Sequence, residues 1–85
     1  MSYHVYILQS EADGSYYVGS TQDLDARVHR HNEGRSKYTK TKRPWELVHT
    51  EKFPSRSDAV KRENQIKARK SRKFIEKLVR SSRHQ

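Results

Sequence analysis

Cysteine is absent from the 85-residue chain, which excludes disulfides, thiolate metal sites and a cysteine nucleophile. No apolar run approaches the roughly 20 residues that a membrane-spanning helix needs. The N-terminus has no signal-peptide pattern, so the cytoplasm is the expected location. Apolar residues are themselves scarce, at 31% against 34% charged. A chain of this length forms one domain at most and buries only about 60% of its unfolded surface, so its core must be small. Apolar positions nevertheless recur with strand and helix periods, which argues against disorder.

Acids are missing from one stretch and sparse in another. The segment from Arg35 to Arg43 carries five Lys/Arg and no acid, and Lys61 to Gln85 carries ten Lys/Arg against Glu63 and Glu76. The net charge of +9 is therefore confined to one loop and the C-terminal third. A clustered basic footprint points to a polyanion, most simply nucleic acid; a solvated basic surface is the plainer alternative.

The periodicity predicts six elements. "HVYILQ" at 4–9 is a β-branched, aromatic strand. Asp13-Gly14 signals a hairpin turn, and "SYYVG" at 15–19 is the returning strand. Alternation puts Tyr6 and Leu8 on one face and sets Tyr17 out of phase with Tyr16 and Val18. Ser20 and Thr21 offer caps to a helix with Asp23 in its first turn, which reaches about Asn32 before Gly34 ends it. "WELVHTEKF" at 45–53 alternates as a third strand, with Trp45, Leu47, His49 and Phe53 expected on one side. Ser55 with Asp58 opens a helix to about Lys70. Ser71 caps a last helix striped by Phe74, Ile75, Leu78 and Val79. The expectation is α/β: a small three-stranded antiparallel sheet flanked by helices, β-β-α-β-α-α. One domain spans 1–80, and 81–85 form a frayed basic tail.

Two inward helix edges carry unexpected groups. At about 100° per residue, Leu24, Arg27, Val28 and His31 share an arc of roughly 100°. In the next helix Ala59, Val60 and Ile66 define the inward arc, and Glu63 lies near its middle. A carboxylate aimed at a core is costly unless it is paired or binds a metal. Each group also has an ordinary explanation. Tyr6 and Tyr17 suit strands with a buried ring and a wet hydroxyl. The Arg27 stem can lie over apolar neighbours, and His31 can meet the negative end of its helix. Glu63 can pair with Arg62, Lys67 or Arg69. His29 and His31 diverge by about 200° and cannot share an ion; His4, His49 and His84 have no partner spacing. Trp45 reads as core, whereas Tyr38 in the basic loop is a candidate to stack on a base.

Taken together these residues resemble the GIY-YIG nuclease domain. "HVY" at 4–6, "YVG" at 17–19, then Arg27, His31 and Glu63 in "KRENQIK" follow that family's order over about residues 3 to 79. The chain looks most like the small stand-alone bacterial members. "KYTKTKRPWELVHTEKFPSRSDAVKRENQIK" is also similar to the same region of the eukaryotic structure-specific nuclease subunit Slx. His4 stands where the first triplet has glycine, Val18 replaces isoleucine, and Ser20 stands where some members have lysine.

The resemblance implies a metal-dependent endonuclease that hydrolyses DNA phosphodiesters, with a role in DNA repair or recombination. Tyr6 would be first choice as general base, with Tyr17 positioning the water or sharing the proton. Arg27 would brace the phosphate and His31 would assist the base. Glu63 would hold one Mg²⁺ or Mn²⁺, since Mg²⁺ commonly takes one or two carboxylates plus water and phosphate. Tyrosine ionises near 10, so nearby positive charge is expected to favour its ionised form. Gly19, Arg35, Lys37, Tyr38, Lys40, Lys42, Arg43, Lys67 and Lys70 are the expected nucleic-acid contacts. Single-stranded or branched DNA is expected over a long duplex sequence, with no membrane role and with room for a protein partner. The alternatives are a non-catalytic nucleic-acid-binding module and a subunit of a larger complex.

Overall fold

Four consecutive residues, Val5, Tyr6, Ile7 and Leu8, have no exposed surface, because their strand is covered on both faces and flanked on both edges. A computed structural model describes residues 2–83, with side chains through residue 82. Strand β1 (Tyr3–Ser10) lies at the centre of an antiparallel sheet ordered β2-β1-β3, between β2 (Tyr16–Thr21) and β3 (Trp45–Phe53). Helix α1 (Leu24–Asn32) follows β2, and a short 3₁₀ turn (Lys40–Lys42) precedes β3. Helices α2 (Arg56–Arg69) and α3 (Arg72–Arg83) complete the expected β-β-α-β-α-α order.

The alternation of β1 and β2 sorts the core into two clusters, one on each side of the sheet. Val5, Ile7 and Val18 pack with Ala59, Ile66 and Val79 of α2 and α3. Tyr6, Leu8 and Trp45 pack with Tyr17, Leu24 and Val28 under α1. Tyr6 and Tyr17 thus face α1, on the side opposite the larger apolar core.

The third strand departs from simple alternation. Ile7 pairs with His49, but the next residue, Leu8, pairs with Leu47, so Val48 is an extra residue. Such a bulge flips the facing of everything beyond it. Trp45 packs under α1 while Phe53 joins the α2/α3 cluster, and the expected single stripe of Trp45, Leu47, His49 and Phe53 is divided between two faces.

The caps follow side-chain chemistry. Asp23, not Ser20 or Thr21, caps α1 by accepting the Ala26 N–H at 3.1 Å; Ser20 and Thr21 are still inside β2. Gly34 ends α1 with φ +80°, a region in which a Cβ is strained. Ser55 caps α2, and Ser71 accepts the Phe74 N–H at 3.2 Å. Helix α3 continues through Ser81 and Ser82 to Arg83, where a frayed tail was expected from Ser81. Ser82 Oγ bonds His49 Nδ1 and so holds this end on the sheet. Residues 84 and 85 of that tail, and with them His84, lie outside the described residues.

Candidate active site

The centre of the site is a buried hydroxyl. Tyr6 pairs across the hairpin with Gly19, and its ring crosses that residue toward the β2 edge. A Cβ at position 19 would lie 2.5 Å from Tyr6 Oη, so only glycine admits the ring. Gly19 is itself buried, and its lack of a side chain is what seats the Tyr6 ring. Tyr6 Oη lies 3.1 Å from Nε2 of His31, and His31 Nδ1 lies 2.8 Å from the Thr39 hydroxyl. His31 is 2% exposed and Thr39 is fully buried. His31 is therefore the middle of a buried relay and not a cap on the end of α1.

Several elements hold this line of groups. One and two turns before His31 on the same helix edge, Val28 and Leu24 pack against the Tyr6 cluster. The Asn32 side chain accepts the Trp45 N–H at 2.6 Å and donates to the Trp45 carbonyl at 3.1 Å. The Trp45 indole N–H donates to the Thr39 carbonyl at 2.9 Å. Together these fix the loop that presents Thr39 to His31. Tyr17, half-buried, has ring centroids of His31, Tyr38, Tyr6 and Trp45 within 4.9 to 6.3 Å.

The electrostatics favour neutral forms in this relay. Burial pushes the Tyr6 phenol up to about 12, reinforced by Tyr17 and Glu63 and opposed by the Arg27 guanidinium beside it. The positive charge anticipated from the sequence is present as Arg27, but desolvation outweighs it. His31 is held below the ordinary histidine value, first by burial and then by Arg27 and Arg30. At neutral pH the pair is thus a protonated phenol beside a neutral imidazole.

Glu63 approaches from α2, on the other side of the sheet edge. Its Oε1 accepts the Ser20 hydroxyl at 2.6 Å, and its Oε2 accepts Lys67 Nζ at 2.6 Å. Its side chain is 16% exposed. The inward position and the i,i+4 pair with Lys67 coexist, while Arg62 turns away to Glu51 at 2.8 Å. Arg27 and, more weakly, Glu63 act electrostatically on Tyr6, and Ser20, next in sequence to the Gly19 that lies against the Tyr6 ring, ties Glu63 to the β2 edge.

Two members of the site were not anticipated. Ser20 was weighed only as a helix cap and as the place of a family lysine, although its alternation with Val18 puts it on the α2 face. Thr39 sits in a run of basic residues that gives no sequence signal.

The expected nucleic-acid contacts divide into two groups. Tyr38, Lys67 and Lys70 line a cleft of about 590 Å³ beside the site. Lys42 instead pairs with Asp13 at 3.5 Å, Arg35 pairs with Glu33 at 3.4 Å, and Arg43 donates to the Lys40 carbonyl. Lys37 and Lys40 are exposed. His29 makes a surface pair with Glu33. His49, given no role from sequence, binds Glu51 at 2.7 Å in a network with Arg62 and Ser82 that ties β3 to α2 and α3.

The chain matches a known domain. Residues 2–77 match the family described as the GIY-YIG catalytic domain. The chain belongs to the GIY-YIG family. A UPF0213 protein of Staphylococcus aureus strain Mu50 is 48% identical over 67 residues, covering 78% of this chain and 80% of that protein; the UPF0213 protein of strain N315 matches to the same extent. A solution NMR structure of a UPF0213 protein from Bacillus halodurans is 42% identical, with a TM-score of 0.58, covering 93% of this chain and 83% of that one. Nearly the whole of this chain is thus one GIY-YIG catalytic domain, the type of domain found in nucleases. Among the described residues no helix is long and apolar enough to cross a membrane.

Proposed function

We propose that this protein is a metal-dependent endonuclease that hydrolyses DNA phosphodiester bonds in the cytoplasm, with a preference for single-stranded or branched DNA and a role in repair or recombination. The observation that carries this reading is the Tyr6–His31 contact at 3.1 Å, set among Arg27, Tyr17 and Glu63.

A phenol held near 12 does not ionise by itself at neutral pH. It acts as a base only if its own proton has a destination. Neutral His31 supplies one: the Tyr6 proton passes to Nε2 as the phenol oxygen takes a proton from the attacking water, while Nδ1–H donates to Thr39. The hydroxide formed attacks phosphorus. Arg27 donates to the non-bridging oxygens as charge accumulates on them. Tyr17, nearer the surface, orients the water. Because Tyr6 has no exposed surface, the DNA strand must displace the side chains that cover the phenol before chemistry begins.

Glu63 fits a divalent ion. Its carboxylate already attracts one cation, the Lys67 ammonium, and Ser20 fixes its other oxygen. Among the described residues no three His, Cys, Asp or Glu side chains cluster as a metal site. Mg²⁺ or Mn²⁺ would therefore rest on one carboxylate, with water and substrate phosphate completing its shell. When bound, the ion would neutralise charge on the phosphate and the leaving oxygen.

The test is cleavage of labelled single-stranded, duplex and branched DNA with Mg²⁺ or Mn²⁺, wild type beside Glu63→Ala. Metal-dependent cutting that vanishes in the variant while binding persists is the expected result. Binding without cutting on every substrate would overturn the enzymatic reading in favour of a binding module.

A further inference from the structure

We infer that the cleft beside the catalytic edge is a stacking site for one unpaired nucleotide adjoining the scissile phosphate; this rests on the endonuclease reading above and adds to it where the neighbouring base goes. The cleft lies between β2, the loop bearing Tyr38 and the α2–α3 junction. Tyr16, Tyr17 and Tyr38 supply aromatic surface, and Ile66 and Ile75 add apolar surface. Lys70 provides the cationic side together with Lys67, which pairs with Glu63, and Arg72, which pairs with Glu76 and lies over the Tyr16 ring.

Two observations select an unpaired nucleotide as the occupant. Tyr38 is 80% exposed, so one ring face is open to a planar partner although its centroid is 6.2 Å from that of Tyr17. Base–aromatic stacking tolerates any base, because each has a π face. The charge is complementary to phosphate: Lys70 has no ion-pair partner among the described residues, and Lys70 and Arg72 lie on either side of the α2–α3 junction at Ser71. An apolar peptide would not call for this concentration of cations. A base inside a duplex cannot use the cleft, since both its faces are covered by its neighbours.

The cleft also joins the catalytic groups directly. Tyr17 lines it and contacts the His31 ring at 4.9 Å between centroids. Lys67 lines it and holds Glu63 at 2.6 Å. A nucleotide seated there would place its backbone phosphate next to Lys67 and Glu63. Seating the base thereby sets the position of the bond to be cut.

The experiment uses wild-type protein in chelator, so that nothing is cut, and a short oligothymidylate carrying one 2-aminopurine. Binding should quench the aminopurine fluorescence. Tyr38→Ala should weaken oligothymidylate binding about 5- to 150-fold and leave the affinity for a blunt two-strand DNA duplex within twofold, while Tyr38→Trp should restore tight binding. Thymidine monophosphate alone should bind far more weakly than the strand. Unchanged oligothymidylate affinity in Tyr38→Ala, an equal loss on the blunt duplex, or monophosphate binding as tight as the strand would each overturn the proposal. Failure of the endonuclease reading looks different: the wild type with metal would cut nothing while these binding differences remained. Normal cutting with an indifferent Tyr38→Ala would remove the cleft and leave the endonuclease standing.

Discussion

The two faces of the sheet are made from the same strands yet do opposite work. On the α2/α3 face Val5, Ile7, Val18, Ala59, Ile66 and Val79 interlock without a polar atom in their side chains. On the α1 face the equivalent depth holds Tyr6, His31 and Thr39, linked by hydrogen bonds. Among the described residues no buried side-chain N or O lacks a partner, so the polar face is satisfied as well as packed. Satisfied buried networks tolerate little change, because losing one partner leaves another unpaired at about 1–3 kcal/mol. One face supplies stability by area, and the other holds reactive groups at fixed distances.

The largest expected effects come from breaking the reactive groups, which are the polar face and Glu63 reaching the β2 edge from α2. Glu63→Ala should lower cleavage by about 10²–10³-fold in single-turnover assays, comparable to removing one preorganised electrostatic group, while DNA affinity changes little. Gly19→Ala forces a Cβ to within 2.5 Å of Tyr6 Oη. Overpacking of this kind costs about 1–3 kcal/mol, and cleavage should fall with stability because the ring must leave His31.

The apolar face sharpens the contrast. Ile7→Val, buried against α2 and α3, should cost about 0.5–1.5 kcal/mol. That is a drop in melting temperature of several degrees, at about 4–8 °C per kcal/mol for a domain of this size. The cleavage rate per folded molecule should stay near wild type.

Acidity separates the faces further. His31 has a folded value below its ordinary 6.5, so the unfolded chain binds its proton first as pH falls. Stability drops through that window, and the rising limb of the cleavage profile should lie below pH 6.5, where His31 becomes neutral. Glu51 adds to the acid loss. Burial would raise it, but the hydrogen bonds from Arg62 and His49 hold it below the usual carboxylate range. Tyr6 acts at the other end: between its ordinary 10 and about 12 the unfolded chain loses its proton first, so stability falls as pH rises through that interval. Thermal melts from pH 4 to 11 would record all three.

The smallest effect concerns Lys67. Its ammonium occupies the Glu63 carboxylate at 2.6 Å. Lys67→Met should therefore tighten Mn²⁺ binding by a few-fold at low ionic strength, the size of a partly exposed pair worth about 0.2–1 kcal/mol. Electron paramagnetic resonance of free Mn²⁺ reads this without any cleavage.

Most of this architecture is legible from local patterns. Alternation in β1 and β2 separates Tyr6 from Val5 and Tyr17 from Tyr16, and the 100° count brings Arg27, His31 and Glu63 inward. What escapes is set by contacts between distant segments. The bulge at Val48 has no local signature, and it is what divides Trp45 from Phe53. Thr39 becomes part of the relay only because Trp45 and Asn32 pin its loop. Asp23 displaces Ser20 as the cap because Ser20 is drawn into β2 and across to Glu63. The raised value of Tyr6 depends on burial, which spacing does not report.

The most direct measurement compares Tyr6→Phe with wild type for both single-turnover cleavage of a labelled single strand and thermal melting. The substitution removes one oxygen from the polar face and nothing from the apolar one. The account predicts a cleavage loss of at least about 10²-fold, within the range for losing a positioned acid–base group, while the protein still folds and melts cooperatively within several degrees of wild type. A variant that folds and cuts at the wild-type rate would contradict it, and would mean that the buried Tyr6–His31 pair is structural.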